Sequence, residues 1–402
     1  MSETNEGDKI SMFYLFRTFL KIGSLSFGGF MALIAVVQRQ MVEKDRKLDD
    51  QVLLDGVSLA SILPGPLAVN TVGYVGYQLR GFWGALLSML AVTLPCFLIV
   101  LLFSMAYFEY GELTLFKSVI TWVIPAIVVI IVTVGISMSK KHLQDWKQYL
   151  ITLASFIAFQ WLGGIWTTFS VMLLGAGLGL AFYKTSEQGG ISKSSESSSL
   201  NLVKNMAVLV LLITVGVLSI YLFQTKEMGL ISTKVLAVFS SMSLTLFGGG
   251  YVIIPIIQET IVASLGWLSL EEFNTALAIS QVTPGPILIS ATFIGYKVAG
   301  IPGACLATVG IFLPSGLLMV SCSQLLNKYK NLASVKAIFR GLRPAVIGLI
   351  FSAALTIGYE SLLKWQSAVA FGLLLTISIF FRTTTLWVIA IAIALGSVGT
   401  LI

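Results

Sequence analysis

The chain has 402 residues, of which 56% are hydrophobic and only 11% are charged. Ordinary soluble domains carry about 25% charged residues, so this composition excludes a soluble enzyme and also a disordered or fibrous chain. The formal net charge of +7 would suggest nucleic acid in a soluble protein. In a membrane protein it indicates which loops lie inside, and we expect no nucleic-acid partner.

After a polar tail at 1–11, apolar stretches follow one another to the end of the chain. Most are long enough to cross a hydrocarbon core of about 30 Å as helices. They are continuous rather than alternating, which excludes a β-barrel. We therefore predict an all-α polytopic membrane protein with helical stretches at 12–37, 53–79, 82–107, 117–138, 149–162, 165–183, 206–224, 235–257, 273–297, 301–325, 333–357, 366–381 and 384–402.

The chain is an internal duplication joined by a polar linker. Phe27-Gly28-Gly29 recurs as Phe247-Gly248-Gly249, and Pro64-Gly65-Pro66 recurs in the same register as Pro284-Gly285-Pro286. Later matches continue with the register shifted by one position. We predict one repeat at 12–183, a flexible cytoplasmic linker at 184–205, a connecting transmembrane helix at 206–224 and a second repeat at 235–402.

Basic residues change sides between the two copies. The loop after the first stretch holds four basic residues in copy one and none in copy two, whereas the loop after the third stretch is the more basic one in copy two. By the positive-inside rule, the copies are inverted in the membrane. The same rule favours re-entrant hairpins at the first two stretches of each copy, a cytoplasmic N-terminus and an outside C-terminus.

The two PGP motifs lie in the middle of apolar stretches. Proline and glycine end one helix and begin another there, and a broken helix at membrane depth requires protein or a wet cavity around it. The N-terminus of the following half-helix is suited to an anion. A simple proline kink is the alternative reading of each motif. The FGG motifs are either hairpin tips that approach a ligand or sites of close helix packing.

Charged and polar side chains inside apolar stretches are few, and each is a candidate for function. Arg17 and Lys21 share one face of the first helix, and Arg340 and Arg343 precede Pro344; each pair either faces a cavity or extends to the interface. Asp55, Glu259 and Glu109 are the candidates for proton or cation coupling. The expected substrate-binding residues are Arg17, Lys21, Phe27, Gly28, Gly29, Pro64, Gly65, Pro66, Asn70, Phe247, Gly248, Gly249, Gln281, Thr283, Pro284, Gly285, Pro286 and Ser290.

No cofactor or metal is expected. The three cysteines are far apart in apolar runs, and His142 is the only histidine, which does not make a metal-ligand set. A nucleotide-binding loop of the GxxxxGK[ST] kind is also absent from the sequence, so the chain is not an ATP-driven pump by itself.

These motifs resemble the chromate transporter family, in its two-domain form, over nearly the whole chain. The specific marks are the FGG and PGP pairs, the run 247–251, Gly266-Trp267-Leu268 and the segments 63–81 and 280–300. The family often continues its first FGG with Pro and then Ala-His, whereas Phe30, Met31 and Ala32 follow here. The resemblance implies a bacterial inner-membrane protein that exports chromate and gives chromate resistance.

The leading hypothesis is a secondary transporter that moves chromate outward and holds it near the midplane with the two PGP half-helix N-termini and basic residues. A carrier of sulfate or another oxyanion, in either direction, is the first alternative. A membrane scaffold or enzyme is the alternative of a different class, although no His or Cys is placed for hydrolysis. The expected partners are the oxyanion and the lipid bilayer, and the sequence leaves a homodimer open.

Overall fold

The computed structural model describes residues 10–27, 30–61, 63–110, 114–183, 231–246, 253–329, 333–361, 365–381 and 385–398. Every regular element in these ranges is a helix, which confirms the predicted all-α membrane protein. The helices of copy one are α1 (Met12–Leu25), α2 (Phe30–Val37, continued by π-helical turns over Gln38–Lys44), α3 (Asp50–Ala60), α4 (Leu67–Tyr110), α5 (Thr114–His142), α6 (Trp146–Leu162) and α7 (Gly164–Tyr183).

The second half repeats this order of elements. Its helices are α8 (Ile231–Thr245), α9 (Ile253–Ile257, continued by π-helical turns over Gln258–Ser264), α10 (Leu270–Val282), a 3-10 turn (Ile287–Ile289), α11 (Ser290–Tyr329), α12 (Ala333–Ser361), α13 (Trp365–Phe381) and α14 (Thr385–Val398). The predicted linker at 184–205 and connecting helix at 206–224 lie outside the described residues, as do Gly28, Gly29, Phe247, Gly248 and Gly249.

Four described segments are long and apolar enough to cross a membrane: Leu67–Tyr110, Trp122–Lys140, Ile287–Ser321 and Lys336–Tyr359. Their outer surface is apolar as well, with Leu102 66% exposed in the middle of such a segment. Exposed tryptophans stand near helix ends, as at Trp146 and Trp161, where membrane proteins concentrate them. The protein is therefore a multi-pass membrane protein.

Short polar side chains fix where several helices begin. The Oγ of Ser11 accepts a hydrogen bond from the N–H of Tyr14 at the start of α1, and Asp145 accepts one from Gln148 at the start of α6. Ser269 and Glu272 form a reciprocal capping box before α10. Each cap satisfies backbone donors that have no partner within the helix.

The first two helices run antiparallel to each other and form a hairpin. The hydroxyl of Tyr14 donates to Asp45 Oδ2 at 2.6 Å, and Nζ of Lys21 donates to Gln40 Oε1 at 3.4 Å. The two residues of each pair are equally far in sequence from a midpoint near residue 30, so α2 returns along α1. With 14 residues, α1 is about 21 Å long, shorter than a membrane crossing.

The next two helices form a second antiparallel hairpin whose tip is the first PGP motif. A Cβ on Gly56 of α3 would lie 2.8 Å from the ring of Tyr74 in α4, so the two helices pack closely on either side of residue 65. α3 has 11 residues and is about 17 Å long. These lengths are what re-entrant hairpins require, and their placement in a membrane stays a prediction.

The long helix α4 reverses direction at Gly81, and α11 does so at Gly300. Both glycines have positive φ, +64° and +62°. A Cβ on Gly76 would overlap the carbonyl oxygen of Gly84, although a straight helix would hold these two positions about 12 Å apart. Across the second turn, the hydroxyls of Thr292 and Thr308 are 2.7 Å apart. Small residues therefore allow each helix to fold back on itself.

The two reversals lie at opposite ends of segment 82–110. The ring of Phe108, near the far end of this segment from Gly81, stacks on Tyr296 with centroids 5.9 Å apart. Nζ of Lys297 lies 4.9 Å from the same ring, and Lys297 closely precedes Gly300. The two turns are thus separated by about 40 Å of helix. Inversion of the copies relative to a membrane stays a prediction.

Both copies contribute to one apolar core. Leu15 and Phe19 of α1, Phe239 of α8 and Phe293 of α11 all belong to the same cluster and are fully buried. The copies therefore fold together through a shared interior, and the PGP tips lie inside it.

Candidate functional site

The middle position of each PGP motif accommodates only glycine, because its φ angle is positive and a side chain there would contact a neighbouring helix. The φ angle is +111° at Gly65 and +115° at Gly285, a region that other residues rarely adopt. A Cβ on Gly65 would overlap Cβ of Ser315, and one on Gly285 would lie 3.0 Å from Sγ of Cys96. The flanking prolines, Pro64, Pro66, Pro284 and Pro286, are buried.

Reciprocal backbone hydrogen bonds join each PGP motif to the other copy. The N–H of Gly65 donates to the carbonyl of Leu246 at 2.6 Å, and the N–H of Gly285 donates to the carbonyl of Ser26 at 2.9 Å. Ser26 and Leu246 are equivalent residues, each immediately before an FGG motif. We call these two bonds the tip contacts, because each joins a PGP tip to the residue just before the FGG motif of the other copy.

The residues packed against the PGP glycines are also equivalent between copies. Cys96 and Ser315 occupy matching positions of the repeat, and each follows a proline inside a long helix. Both are fully buried, with 0% exposure. The N–H of Ser315 donates to Oγ of Ser243 at 3.3 Å. The candidate site therefore has approximate two-fold symmetry.

Asn70 and Ser290 place one polar group beside each tip. They occupy equivalent positions, shortly after the second proline of each PGP motif, and they are 0% and 1% exposed. Nδ2 of Asn70 donates to the carbonyl of Pro64 at 3.0 Å. Within the described part of the chain, Oδ1 of Asn70 and Oγ of Ser290 have no hydrogen-bond partner. Such buried groups are costly unless a ligand or water satisfies them.

Gln281 and Thr283, also predicted as ligands, lie just before the second PGP motif. Both are buried. Thr283 ends α10, where its N–H donates to Ile279 and its hydroxyl donates to the carbonyl of Ser280 at 3.1 Å. Thr283 therefore caps the C-terminus of α10.

The predicted basic residues lie on α1 rather than at the PGP tips. Arg17 and Lys21 are both exposed, and Lys21 contacts Gln40 in the returning arm of the hairpin. Phe27, at the end of that hairpin, is 38% exposed. In the second copy Arg340 lies 5.5 Å from the ring of Tyr183, which places it against the end of α7.

The candidates for coupling are separate from one another. Asp55, in the middle of α3, accepts a hydrogen bond from Nε2 of Gln51 at 3.2 Å. Glu259 lies in the π-helical turns that follow α9 and is half-buried. Their positions in different hairpins, one in each copy, do not bring them together as a pair.

Among the described residues, none of the fully buried side chains is charged. Backbone N–H groups of a half-helix, together with hydroxyl and amide groups, are therefore the means by which the tips can hold an anion. Sequence reasoning missed Ser26, Leu246, Cys96 and Ser315 as parts of this site. The equivalence of Cys96 and Ser315 in the repeat was the available signal.

A model of one protein family matches both halves of the chain. It is described as Chromate transporter, and it matches residues 13–180 and 233–397. The chain belongs to the chromate transporter family. No solved structure matches it significantly.

Curated relatives agree with this assignment. A probable chromate transport protein of Synechococcus elongatus is 31% identical over 358 residues, which cover 88% of this chain and 86% of that protein. The chromate transport protein of Cupriavidus metallidurans is 31% identical over 354 residues, 87% and 83% of the two chains. An uncharacterized transporter of Methanocaldococcus jannaschii is 28% identical over 98% of both. These relatives are named as transporters and not as enzymes.

Proposed function

We propose that this protein is a secondary transporter that exports chromate across the bacterial inner membrane and so gives chromate resistance. The observation that carries the proposal is the pair of tip contacts, Gly65 to Leu246 and Gly285 to Ser26. They join the two PGP breaks to the residues just before the FGG motifs of the opposite copies, inside an apolar helical protein of the chromate transporter family. Irregular backbone at membrane depth is tolerated where it is buried in protein or lines a cavity, and transporters bind substrates at such breaks.

The substrate in this proposal is a dianion that is bound by neutral hydrogen-bond donors rather than by charged side chains. The backbone N–H groups that open the half-helices after each PGP motif supply positive partial charge, and the hydroxyl of Ser290 supplies a further donor. Because buried cations are absent from the described tips, binding is weak enough to allow release on the other side. Arg17 and Lys21 hold the anion earlier on its path.

Outward transport needs no coupling ion. Moving one charge through 100 mV is worth about 2.3 kcal/mol, so a dianion that leaves an inside-negative cell gains about 4.6 kcal/mol. That energy supports roughly a thousandfold gradient. Uptake of a dianion would need a coupled cation, and exchange with protons through Asp55 or Glu259 is the competing version of the export mechanism.

The topology in this proposal follows the basic residues. The N-terminus and the 184–205 linker are cytoplasmic, the C-terminus is outside, and the repeats at 12–183 and 235–402 are inverted. The separation of the Gly81 and Gly300 turns along segment 82–110 supports the inversion, because equivalent turns of inverted repeats lie on opposite faces of the membrane.

The test is chromate uptake into everted membrane vesicles with an imposed potential, interior positive, and no pH gradient. We expect uptake that rises with the potential and that is reduced at least tenfold by Gly65→Leu and by Gly285→Leu at matched protein levels. Gly177→Leu is the matched control, because a side chain there meets open space. Absence of potential-driven uptake contradicts uncoupled export, and uptake driven only by a pH gradient supports proton exchange.

Sulfate is the main competitor for the role of cargo. It has the same tetrahedral shape and charge as chromate, and a site made of neutral donors has little means to separate them. Competition of chromate uptake by sulfate, molybdate and phosphate identifies the preferred oxyanion. Inhibition by sulfate well below the chromate concentration would make sulfate the cargo.

A further inference from the structure

One face of α1 carries an exposed polar row that leads toward the tip contact at Ser26. Arg17, Lys21 and Ser24 are spaced at i, i+4 and i+7, so they lie on one side of the helix, and all three are exposed. The row covers about 10 Å along the axis and ends just before Ser26, whose carbonyl takes part in a tip contact. Apolar Phe13 and Leu25 flank it.

The returning arm of the same hairpin adds to this positive charge. Its basic residues, Arg39, Lys44, Arg46 and Lys47, are all exposed. Two acidic residues lie among them: Asp45 is engaged by Tyr14 and Gln40, whereas Glu43 is exposed. The hairpin from 12 to 50 holds six basic and four acidic residues, a net charge of +2.

The equivalent hairpin of copy two does not share this charge. At the positions of Arg17, Lys21 and Ser24 it has Ala237, Ser241 and Leu244. From 232 to 270 it holds one basic residue, Lys234, and one acidic residue, Glu259, with no net charge. Ser241 is buried. The two segments are equivalent in the sequence repeat and different in electrostatics.

We propose that the α1–α2 hairpin forms a positively charged vestibule on one face of the membrane that draws tetrahedral oxyanions toward the tip contact at Ser26, and that the equivalent segment of copy two forms no counterpart on the other face. This inference rests on the transport function proposed above. A charged side chain that faces lipid tails has a high free energy because it loses its hydration. Water in the vestibule would keep Arg17 and Lys21 hydrated. Clefts lined by charge of one sign concentrate ligands of the opposite sign.

The vestibule affects affinity on one face and leaves the equilibrium unchanged. Detailed balance requires Vmax/KM to be the same in both directions at zero potential. A vestibule on one face lowers KM on that face. Vmax for transport from that face is then lower than Vmax for transport from the other face, in the same proportion as the two KM values. Because the charges are exposed, salt screens them over a Debye length of about 10 Å at 0.1 M, so the difference in KM shrinks as salt is raised.

A cysteine introduced at position 24 reports on the vestibule without any transport measurement. The probe variant is Ser24→Cys with Cys96, Cys305 and Cys322 changed to Ser. Its labelling rates are measured in vesicles of each orientation with an impermeant anionic thiosulfonate and with the cationic analogue. At low salt we expect labelling from one face of the membrane only. The anionic reagent should react about five times faster with this variant than with the same variant that also carries Arg17→Gln/Lys21→Gln.

Three results distinguish the vestibule from side chains that merely extend to the interface. Failure of both reagents to label the introduced cysteine overturns the proposal, because the row then faces lipid. Equal anion preference with and without Arg17 and Lys21 also overturns it. Lys336→Gln is the matched control, because it removes an exposed lysine on α12. If this substitution also abolishes the preference for the anionic reagent, the preference comes from the general surface charge, which contradicts a local vestibule.

Transport assays test whether the vestibule also acts on chromate. With chromate in vesicles of both orientations, Arg17→Gln/Lys21→Gln raises KM about three- to tenfold on the labelled face and leaves KM on the other face unchanged. An equal KM on both faces of the wild type overturns the proposal. If the wild type carries no chromate at all, the transport function fails, whereas the labelling result still decides whether the anion vestibule exists.

Discussion

At the scale of single residues, the PGP glycines are the positions where one methyl group has the largest predicted effect. Gly65→Ala forces a β-carbon against Ser315 and leaves alanine at φ near +111°. Strained φ and overpacking each cost about 1–3 kcal/mol, so we expect the free energy of unfolding to fall by about 3 kcal/mol. Thermal unfolding of the purified protein, followed by size-exclusion chromatography, measures it.

The control and the rescue use other positions of the chain. Gly177→Ala in α7 meets no atom within 4 Å, and it should leave the unfolding temperature unchanged. Ser315→Gly removes the two nearest atoms that a β-carbon on residue 65 would meet and leaves Nδ2 of Asn70 at 2.8 Å, so it should recover part of the loss in Gly65→Ala. Independent effects of the two substitutions would contradict the contact.

The motif glycines could be predicted from the sequence because proline on both sides leaves few other conformations. The partners of those glycines could not. Cys96 is much nearer in sequence to Gly65 than to Gly285, yet it packs against the position of Gly285 in the other copy. Nothing local in an apolar run distinguishes such a residue from one that faces lipid, and only the repeat offers a comparison with Ser315.

At the scale of elements, the base of the α1–α2 hairpin is held by a carboxylate. Burial opposes the charge of Asp45, but hydrogen bonds from Tyr14 and Gln40 and the charges of Lys44 and Lys21 outweigh it, so its pKa lies below the ordinary value. A carboxyl group with a lowered pKa stabilises the fold above its unfolded pKa of about 3.9. That stability is lost as the pH falls through the lowered pKa.

Asp45→Asn should therefore destabilise the protein more at neutral pH than in acid. We expect the free energy of unfolding to fall by about 1 kcal/mol at pH 7, and the difference from wild type to shrink as the pH falls below about 4. Unfolding curves between pH 3 and pH 7 test this. Glu43→Gln, at an exposed position in the same hairpin, serves as control. A difference as large at pH 3 as at pH 7 would contradict the role of the carboxylate charge.

The elements themselves were largely readable from hydrophobicity. The predicted stretches 53–79 and 82–107 are separated by Arg80 and Gly81, and this is where α4 reverses. That the two stretches form a tight pair could not be read from the sequence, because the contact depends on Gly76 and Gly84 packing without side chains. The lengths of the half-helices were also hidden, since apolar residues continue on both sides of each break.

At the scale of the whole molecule, the tip contacts make each copy depend on the other. We predict that residues 1–195 and 196–402, expressed as separate chains, each fail to give chromate resistance, and that resistance returns when they are expressed together. Each half alone lacks the acceptor for its own PGP glycine. Co-purification of the halves is the direct measurement. Resistance conferred by one half on its own would contradict the shared site.

The tip contact between Gly65 and Leu246 has a further consequence for how the protein is made. Most of the first copy and the whole linker separate the two residues in sequence, and ribosomes add only about 5–20 residues per second. The first break is therefore synthesised roughly 10–40 s before its acceptor exists. During that interval the N–H of Gly65 must be hydrated or covered by the insertion machinery, because lipid offers it no partner. Biogenesis of the first copy is thus complete only when the second has arrived.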